Sequence, residues 1–489
     1  MMKENKKWLD TVIFSGTIAL FTVLCAILFE AHDADFNWYC VLGKNIVEGN
    51  SNFNGADFHS WIAQERGGSQ IQHSWLGTVI AYGFSCLFSK FDYAVIAFIA
   101  FTAFIHSFVT KTLFLNRIKL KPFFNLVVSV FAIYTIVSST FLARTRSFDC
   151  ILFTIVYYLL FVEIKPIIKI ACFSLISVLW VNLHGSSILL YFAVLFIFAV
   201  INRIPDFQVA TLIHRQNKKE SNTLLVVSII SFIMGLLNPY GIKMYGYAIF
   251  NNTGFVKEGV AEWSSAALLN VDVIICLLLF AINFVFLSRK ADFKNVFAVV
   301  MFLGMTGIYI RMNMFLYIAS LYFFIDIIKN IDEKCDKPVF SKRLPVNLLC
   351  GIVSFMICAE TIPLIKKYEY YSVSNDLITY LKTENFERTY NDYNLGAYLI
   401  FYGLQDFVDA RADFFDEETL TGAKKFASAD FAEKGEMQEF LDTFCFDSVI
   451  LNTDCGVTID YLLSNDWRIA FEDTRENKGM NYVVLVPKQ

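Results

Sequence analysis

The first candidate for chemistry is a carboxylate that follows directly after an apolar run. The segment His32-Asp-Ala-Asp-Phe-Asn-Trp38 begins where the run from Leu9 to Ala31 ends. A carboxylate at the boundary between lipid and water is partly desolvated, which raises its basicity, so Asp35 could act as a general base on an acceptor hydroxyl. Alternatively, Asp35 is the N-cap of a helix from Phe36 to about Val47. The residues alone do not choose between Asp33 and Asp35 as the base.

Three arginines and a histidine are the candidates for binding an anion. Arg144 and Arg146 share a short hairpin between two apolar runs, and Arg311 precedes Asn313. Guanidinium groups pair well with phosphate oxygens, although at helix ends they also snorkel to lipid headgroups. His184 lies in a tight turn, where it could bind phosphate, carry a proton or satisfy the buried backbone of the turn.

A further set of residues suits ring stacking or polar contact with a ligand. His73 and Trp75 could contact a ligand, with the indole stacking on its ring, or they anchor the chain at the membrane interface. Glu262 and Trp263 could contact the acceptor or supply a second carboxylate, and the alternative is an ordinary loop ion pair. Oxygen ligands for Mg²⁺ or Mn²⁺ are offered by Asp33, Asp35, Asp57 and Glu262. Their spacing specifies no metal, so the metal is left unassigned.

The last candidate lies near the C-terminus. Asp409-Ala-Arg-Ala-Asp413 follows a predicted strand and would lie at its carboxyl end, where ligands bind in open α/β sheets. Asp409, Arg411 and Asp413 either recognise a ligand, which could be a substrate of this protein, or form an Asp–Arg pair with a structural role.

A membrane scaffold is needed to position these residues. Of the 489 residues, 56% are hydrophobic, 18% are charged and 51 are Phe, and the mean hydropathy is +0.51. Soluble domains carry about 25% charged residues, whereas repeated apolar runs of about 20 residues are typical of helices that cross a bilayer. The chain is therefore predicted to be an α-helical polytopic membrane protein. Its net charge of −4 argues against nucleic acid as a partner.

The basic residues predict about eleven transmembrane helices with the N-terminus in the cytoplasm, because cytoplasmic loops are rich in Lys and Arg. The run His73–Ser89 is short and contains two glycines. A crossing there would put the basic loop after residue 110 outside, so the run is placed at the outer interface, in a first external loop 32–91. The predicted crossings are 9–31, 93–110, 122–142, 148–164, 166–183, 186–202, 222–238, 271–288, 294–310, 313–328 and 346–364. The charged and histidine candidates of the membrane part then fall on the external side, which favours a site there.

Residues 366–489 are predicted to form a small extracytoplasmic α/β domain after a transmembrane domain of residues 1–365. From Lys366 onward the chain has 12 Lys and Arg against 23 Asp and Glu, a composition that favours a soluble domain. Predicted strands at 406–409, 448–452, 469–471 and 482–486 and predicted helices at 376–382, 416–426 and 436–444 indicate a mostly parallel sheet. Cys445 and Cys455 could form a disulfide if the domain faces an oxidising space.

Motifs along nearly the whole chain resemble those of a group of bacterial multi-pass membrane proteins. They are Asp35-Phe-Asn-Trp-Tyr with Gly43 and Ile46, Asp57-Phe-His-Ser-Trp61, Gln72-His-Ser-Trp-Leu76, Ala143-Arg-Thr-Arg146, Trp180-Val-Asn-Leu-His-Gly185, Asn238-Pro-Tyr-Gly241, Glu262-Trp263, Arg311-Met-Asn313, Asn394-Leu-Gly-Ala-Tyr398 and Phe407-Val-Asp-Ala-Arg-Ala-Asp413. The group resembles the C-type superfamily of glycosyltransferases with lipid-linked donors, which includes protein O-mannosyltransferases and the lipid A aminoarabinose transferase. The chain departs from the group's pattern at Asn37, Tyr39, Ser74 and Thr145, where the group has Trp, His, Glu and Pro.

The resemblance implies a C-type glycosyltransferase-like fold, interfacial helices in the first external loop, an essential Asp at the position of Asp35 and a polyprenyl-phosphate sugar donor. We therefore expect an inverting glycosyltransferase of the bacterial plasma membrane, whose acceptor is a cell-envelope glycan, a lipid or a protein. Its donor phosphate would be bound by Arg144, Arg146, Arg311 and His184, and its substrates would be contacted by His73, Trp75, Asp57, Glu262 and Trp263. Because the neighbours of Asp35 differ from those of the group, a non-catalytic membrane scaffold is the alternative function. A transporter of lipid-linked glycans is disfavoured because the predicted crossings contain few charges.

Overall fold

The computed structural model describes residues 2–29, 33–50, 53, 59–67, 71–209, 212–250, 291–334, 373–411, 414–431, 434–473 and 481–488. The chain divides into two compact units. The helical unit contains residues 1–31 and 96–248 and part of the chain after residue 262, and the loop–tail unit contains mainly residues 32–95 and 369–489. The first loop therefore folds with the C-terminal tail, a grouping that the sequence did not predict.

The protein is mostly helical, with a small sheet domain at the C-terminus. The helices are α1 (Met2–Leu28), α2 (Asp35–Val47), α3 (Trp61–Glu65), α4 (Trp75–Leu87), α5 (Phe91–Leu113), α6 (Pro122–Thr140), α7 (Ser147–Phe161), α8 (Pro166–His184), α9 (Ile188–Ile201), α10 (Lys218–Met234), α11 (Lys243–Phe250), α12 (Phe293–Ile308), α13 (Asn313–Lys334), α14 (Asn375–Glu384), α15 (Tyr393–Phe401), α16 (Glu417–Ser428), α17 (Lys434–Phe444) and α18 (Gly456–Ser464). The strands are β1 (Phe207–Val209), β2 (Leu212–His214), β3 (Ala291–Asp292), β4 (Thr389–Asn391), β5 (Ser448–Asn452), β6 (Trp467–Glu472) and β7 (Tyr482–Pro487).

Five helical segments among the described residues are long and apolar enough to cross a membrane. They are Lys7–Leu28, Phe91–Arg117, Pro122–Thr140, Pro166–Ile201 and Ile310–Glu333. Helices α7 and α12, with 15 and 16 residues, extend only about 22 and 24 Å and fall short of the roughly 30 Å hydrocarbon core. The predicted crossings 271–288 and 346–364 lie outside the described residues. The mainly helical architecture is confirmed, and the number of eleven crossings stays a prediction.

The longest of these segments, Pro166–Ile201, is a hairpin. The hydroxyl of Tyr191 on α9 donates a hydrogen bond to the carbonyl oxygen of Phe173 on α8 at 2.6 Å. In an uninterrupted helix these residues would be about 27 Å apart. The chain therefore reverses at the short turn Gly185–Ser187, as the predicted break between crossings at 166–183 and 186–202 requires.

Helices α2 and α4 of the first loop pack in close contact. A Cβ at Gly43 of α2 would lie 2.2 Å from the carbonyl oxygen of Thr78 on α4, so only glycine permits this approach. Helix α4 has 13 residues and extends about 20 Å. That length fits the predicted interfacial segment better than a crossing.

The interpretation of Asp35 as an N-cap is wrong. Helix α2 begins at Asp35 itself, and the residue at the cap position, Ala34, makes no side-chain cap. The carboxylate two residues earlier binds the start of the helix instead: Asp33 Oδ1 accepts a hydrogen bond from the backbone amide of Asp35 at 3.1 Å.

The tail sheet has the strand order β4-β5-β7-β6. Strands β4 and β5 are parallel, whereas the β5–β7 and β7–β6 pairs are antiparallel. The predicted mostly parallel sheet is therefore wrong, although the predicted strands at 448–452, 469–471 and 482–486 lie within β5, β6 and β7. The sequence also missed β4, α15 and α18.

The predicted strand 406–409 does not pair as a strand of the sheet. Its backbone is bound by a side chain: Asn391 accepts from the amide of Phe407 and donates to the carbonyl oxygen of Val408, both at 2.7 Å. Phe407 and Val408 are fully buried. Residue 406 forms an isolated parallel bridge with Ser60 of the first loop. In the sequence this buried run resembles a central strand, but Asn391 and the first loop bind its backbone where a strand of the sheet was expected.

The sheet separates two apolar cores. Helices α14 and α15 cover one face with Leu377, Leu395 and Tyr398. Helices α16–α18 cover the other face, and α3 of the first loop contributes Trp61 and Ile62 to that core. Cys445 and Cys455, for which a disulfide was one possibility, are both free thiols.

Candidate functional site

The hairpin between α6 and α7 carries Arg144 and Arg146, which are both half-buried. The amides of Ser147 and Asp149 donate to the carbonyl oxygens of Arg144 and Arg146, at 3.1 and 3.0 Å. Asp149 lies in the first turn of α7, where the positive end of the helix dipole stabilises a negative charge. The backbone of the two arginines is thus fixed within one helical turn of a carboxylate.

His184, the last residue of α8, pairs with Asp149. Its Nδ1 lies 2.6 Å from Asp149 Oδ2, and the two residues are buried, with exposed fractions of 3% and 0%. His184 therefore does more than satisfy the backbone of its turn. Sequence reasoning missed Asp149 as a site residue, although an acidic residue inside an apolar helix was a usable signal.

Polar contacts fix the turn that follows His184. The indole nitrogen of Trp180 donates to the hydroxyl of Ser187 at 2.8 Å, and the amide side chain of Asn182 donates to the carbonyl oxygen of Leu237 at 2.9 Å. The second ring nitrogen, His184 Nε2, lies 3.5 Å from the hydroxyl of Ser186. The motif from Trp180 to Gly185 is therefore the last turn of α8 together with the first residue of the next turn, and these contacts fix the backbone that carries the imidazole of His184.

Two further contacts link the last turn of α6 and the first turn of α13 to the start of α7. The hydroxyl of Ser147 donates to the carbonyl oxygen of Ser139 at 3.2 Å, and Cys150 Sγ lies 3.2 Å from Met314 Sδ. Arg311 is half-buried in the turn directly before α13. The helical unit therefore gathers its four predicted phosphate ligands at one end, namely Arg144, Arg146, His184 and Arg311.

In the loop–tail unit, the two acidic candidates differ in environment. Asp33 is buried and its carboxylate binds the amide of Asp35. Asp35 is half-buried, and its Oδ1 accepts a hydrogen bond from the indole nitrogen of Trp38 at 3.3 Å. The more accessible carboxylate is thus that of Asp35.

The predicted sugar-binding residues are described only in part. His73 and Trp75 are half-buried at the start of α4, and Trp75 makes an edge contact with Phe53 at 5.9 Å between ring centroids. The other predicted contacts, Asp57, Glu262 and Trp263, lie outside the described residues.

The tail candidate is a buried ion pair. The carboxylate of Asp409 binds the backbone amide of Arg411 at 2.7 Å and its Nε at 2.9 Å, and it also binds the terminal guanidinium nitrogen. A Cβ at Gly396 would lie 2.1 Å from the carbonyl oxygen of Val408, so α15 packs closely over this segment. The geometry favours the structural alternative, and Asp413 lies outside the described residues.

Among the residues that the structure describes, no group of three or more His, Cys, Asp or Glu is placed to hold a metal ion. Of the four oxygen ligands considered from sequence, Asp33 and Asp35 are described, whereas Asp57 and Glu262 are not. Neither the protein-family models nor the curated proteins give a match to this chain.

Proposed function

We propose that this protein is a membrane glycosyltransferase that moves one sugar from a polyprenyl-phosphate donor to a hydroxyl of an extracytoplasmic acceptor. The observation that carries the proposal is the gathering of Arg144, Arg146 and the Asp149–His184 pair at one end of the helical unit. Cationic and imidazole donors in this arrangement suit an anion with several oxygens, as phosphate is. The membrane-length segments suit a donor with a lipid tail.

In the proposed reaction, the acceptor oxygen attacks the anomeric carbon in a single displacement. The new C–O bond forms as the bond from the anomeric carbon to the donor's phosphate oxygen breaks, so the configuration inverts. The hydroxyl proton passes to the carboxylate of Asp35, and the leaving phosphate keeps the bonding electron pair. Arg144, Arg146, Arg311 and His184 offset the negative charge that develops on that phosphate.

Asp35 is preferred to Asp33 as the base because its carboxylate is the more accessible of the two. A buried carboxylate that already accepts from a backbone amide, as Asp33 does, is suited to fix the start of α2. In this proposal Asp33 is structural and Asp35 takes the proton.

The proposed location is the bacterial plasma membrane, with the N-terminus in the cytoplasm and the tail outside. The loop–tail unit would present or select the acceptor, a cell-envelope glycan, a lipid or a protein. Its support is that the loop carrying Asp35 folds together with the tail, so a residue of the proposed chemistry belongs to the same compact unit as the soluble domain.

A second candidate function, a non-catalytic scaffold, is favoured by Asn37. This residue is fully buried, and neither atom of its amide group has a hydrogen-bond partner among the residues described. An unsatisfied buried amide costs about 1–3 kcal/mol. It lies two residues from Asp35, at a position where the resembling group has Trp.

The test is sugar transfer in reconstituted membranes, with a panel of radiolabelled polyprenyl-phosphate sugars and with Mg²⁺, Mn²⁺ or EDTA. We expect transfer by the wild type, and a loss of about 10²-fold or more in Asp35→Asn. The matched controls are Asp33→Asn, which separates the two carboxylates, and Asp10→Asn, which removes an ion pair with Lys111.

Equal transfer by Asp35→Asn and wild type would remove Asp35 from the chemistry. No transfer by the wild type from any donor, with donor still bound, would contradict the enzyme and favour the scaffold. Movement of the lipid-linked sugar across the membrane without transfer would favour the transporter.

A further inference from the structure

We infer that Asp149 is a positioning residue that fixes the imidazole of His184, so that Nε2 is the atom presented to the donor phosphate. The inference rests on the proposed function, because it assigns the partner of one proposed phosphate ligand. The geometry that carries it is the contact between Asp149 Oδ2 and His184 Nδ1 at 2.6 Å.

The contact links the protonation of the ring to that of the carboxylate. An ionised carboxylate only accepts hydrogen bonds, so when Asp149 is ionised, Nδ1 of His184 is the donor in this pair. Nε2 is then left as an acceptor in the neutral imidazole, and it becomes a donor in the imidazolium. With its second proton, Nε2 can donate to a phosphate oxygen while Nδ1 stays bound to Asp149.

The two residues are held by the ends of two helices. Asp149 lies in the first turn of α7, and His184 is the last residue of α8. The turn after His184 is fixed by Ser187, whose hydroxyl donates to the carbonyl oxygen of His184 at 3.1 Å and accepts from Trp180. These contacts fix the backbone at His184, and the contact of Nδ1 with Asp149 Oδ2 orients the imidazole before any ligand arrives.

Burial and charge favour the same role. Asp149 is fully buried, and its Oδ1 has no hydrogen-bond partner among the described residues. A buried carboxylate is costly unless a cation offsets it. In the proposed role, a proton on Nε2 gives His184 a positive charge that faces Asp149 on one side of the ring and the phosphate on the other.

The competing explanation is that the pair merely links α7 to α8. A link would affect the amount of folded protein and would act independently of any ligand. A positioning residue acts through His184, so the effect of its loss must disappear when His184 is already absent. A double-mutant cycle measures this difference.

The experiment compares wild type, Asp149→Asn, His184→Gln and the double variant in reconstituted membranes. The readouts are kcat and KM for sugar transfer, the Kd of polyprenyl phosphate and the thermal midpoint of each variant. We expect each single variant to lose about 10–100-fold in kcat/KM, and the double variant to match His184→Gln. Asp149→Glu, which keeps the carboxylate, should recover part of the loss.

The control is Asp326→Asn, which also alters a carboxylate in the helical unit, one that accepts from Asn295 at 2.8 Å. We expect this variant to leave kcat/KM unchanged. Additive losses in the double variant, or a wild-type value for Asp149→Asn, would overturn the inference. If the wild type transfers no sugar, the proposed function fails, and the same cycle on the Kd of polyprenyl phosphate still decides the role of Asp149.

Discussion

The indole nitrogen of Trp61 donates a hydrogen bond to the carbonyl oxygen of Thr389 at 3.0 Å. The ring stacks on Phe407 with a centroid distance of 5.3 Å, and Arg388 lies over it at 4.6 Å while binding Glu65. A residue of the first loop therefore belongs to the apolar core of the tail. The tail sequence alone does not contain a complete core.

Replacing Trp61 should destabilise the tail. Trp61→Ala leaves a cavity beside Phe407 and should cost about 3–5 kcal/mol of unfolding free energy. Trp61→Phe keeps an aromatic ring but leaves the carbonyl of Thr389 without its donor, so its cost should be about 1–3 kcal/mol. Hydrogen–deuterium exchange on peptides from β4 and α17 would measure both effects.

The matched control for Trp61 is Val457→Ala, since Val457 is 71% exposed on α18 of the same unit. We expect a change within about 0.5 kcal/mol. Unchanged exchange in Trp61→Ala would show that the tail folds without the first loop, against the structure.

The packing of α2 on α4 depends on Gly43. Gly43→Ala puts a Cβ within 2.2 Å of the carbonyl oxygen of Thr78, so α2 must move, at a cost of about 1–3 kcal/mol. Because α2 begins with Asp35, sugar transfer should fall as well. Gly83→Ala is the control, since no atom lies within 4 Å of its added Cβ; it should be neutral or stabilising by up to about 1 kcal/mol.

A charge at the start of α15 should make stability depend on pH. Burial raises the pKa of Asp392, and the amides of Leu395 and Asn394 that it caps lower it in part. The pKa of Asp392 is higher in the folded state than the usual value of about 3.9. Between these two pKa values, the folded protein keeps a proton on Asp392 that the unfolded chain has lost. Stability from this group is therefore lost as pH rises through the raised pKa.

Asp392→Asn keeps an N-cap and cannot ionise. The variant should be more stable than the wild type at pH 7, and the difference should vanish below about pH 4. Asp392→Ala loses the cap and should be about 1 kcal/mol less stable than the Asn variant. Thermal unfolding from pH 3 to pH 7 tests both, and a difference between Asn and Asp that does not change with pH would contradict this account.

The free thiol of Cys445 offers a test of sidedness. Cys445 is exposed, so a membrane-impermeant maleimide should label it in intact cells if the tail is extracytoplasmic. Labelling that is lost in Cys445→Ser would locate the tail outside. Labelling of this residue only after the membrane is opened would place it in the cytoplasm.

Two predictions that rest on local signals agree with the structure. The end of α2 near Val47 and the break after His184 depend on residues within a few positions of each other. The local N-cap interpretation of Asp35 was wrong, and three short elements of the tail were missed. The other errors involve partners distant in sequence: Asn391 and Ser60 bind the segment 406–409, and α3 enters the tail core. No pattern in the sequence of segment 406–409 shows that these residues will bind it in place of a strand.

The site residues also divide into those that are recognisable from their neighbours in sequence and one that depends on a distant partner. Arg144, Arg146 and His184 are recognisable because charged or imidazole groups are costly beside an apolar run. Asp149 was passed over because its meaning depends on His184, which is 35 positions away. Its role could be assigned only from the contact between α7 and α8 that the structure shows.

The Trp61–Thr389 contact has a consequence for biosynthesis. The two residues are separated by 328 positions, and chains are made at about 5–20 residues per second. Trp61 is therefore synthesised roughly 16–66 s before its partner, and during that time a large aromatic surface has no core to enter. A chaperone that holds the first loop during synthesis should raise the yield of folded protein, and translation stopped before β4 should leave the loop sensitive to protease.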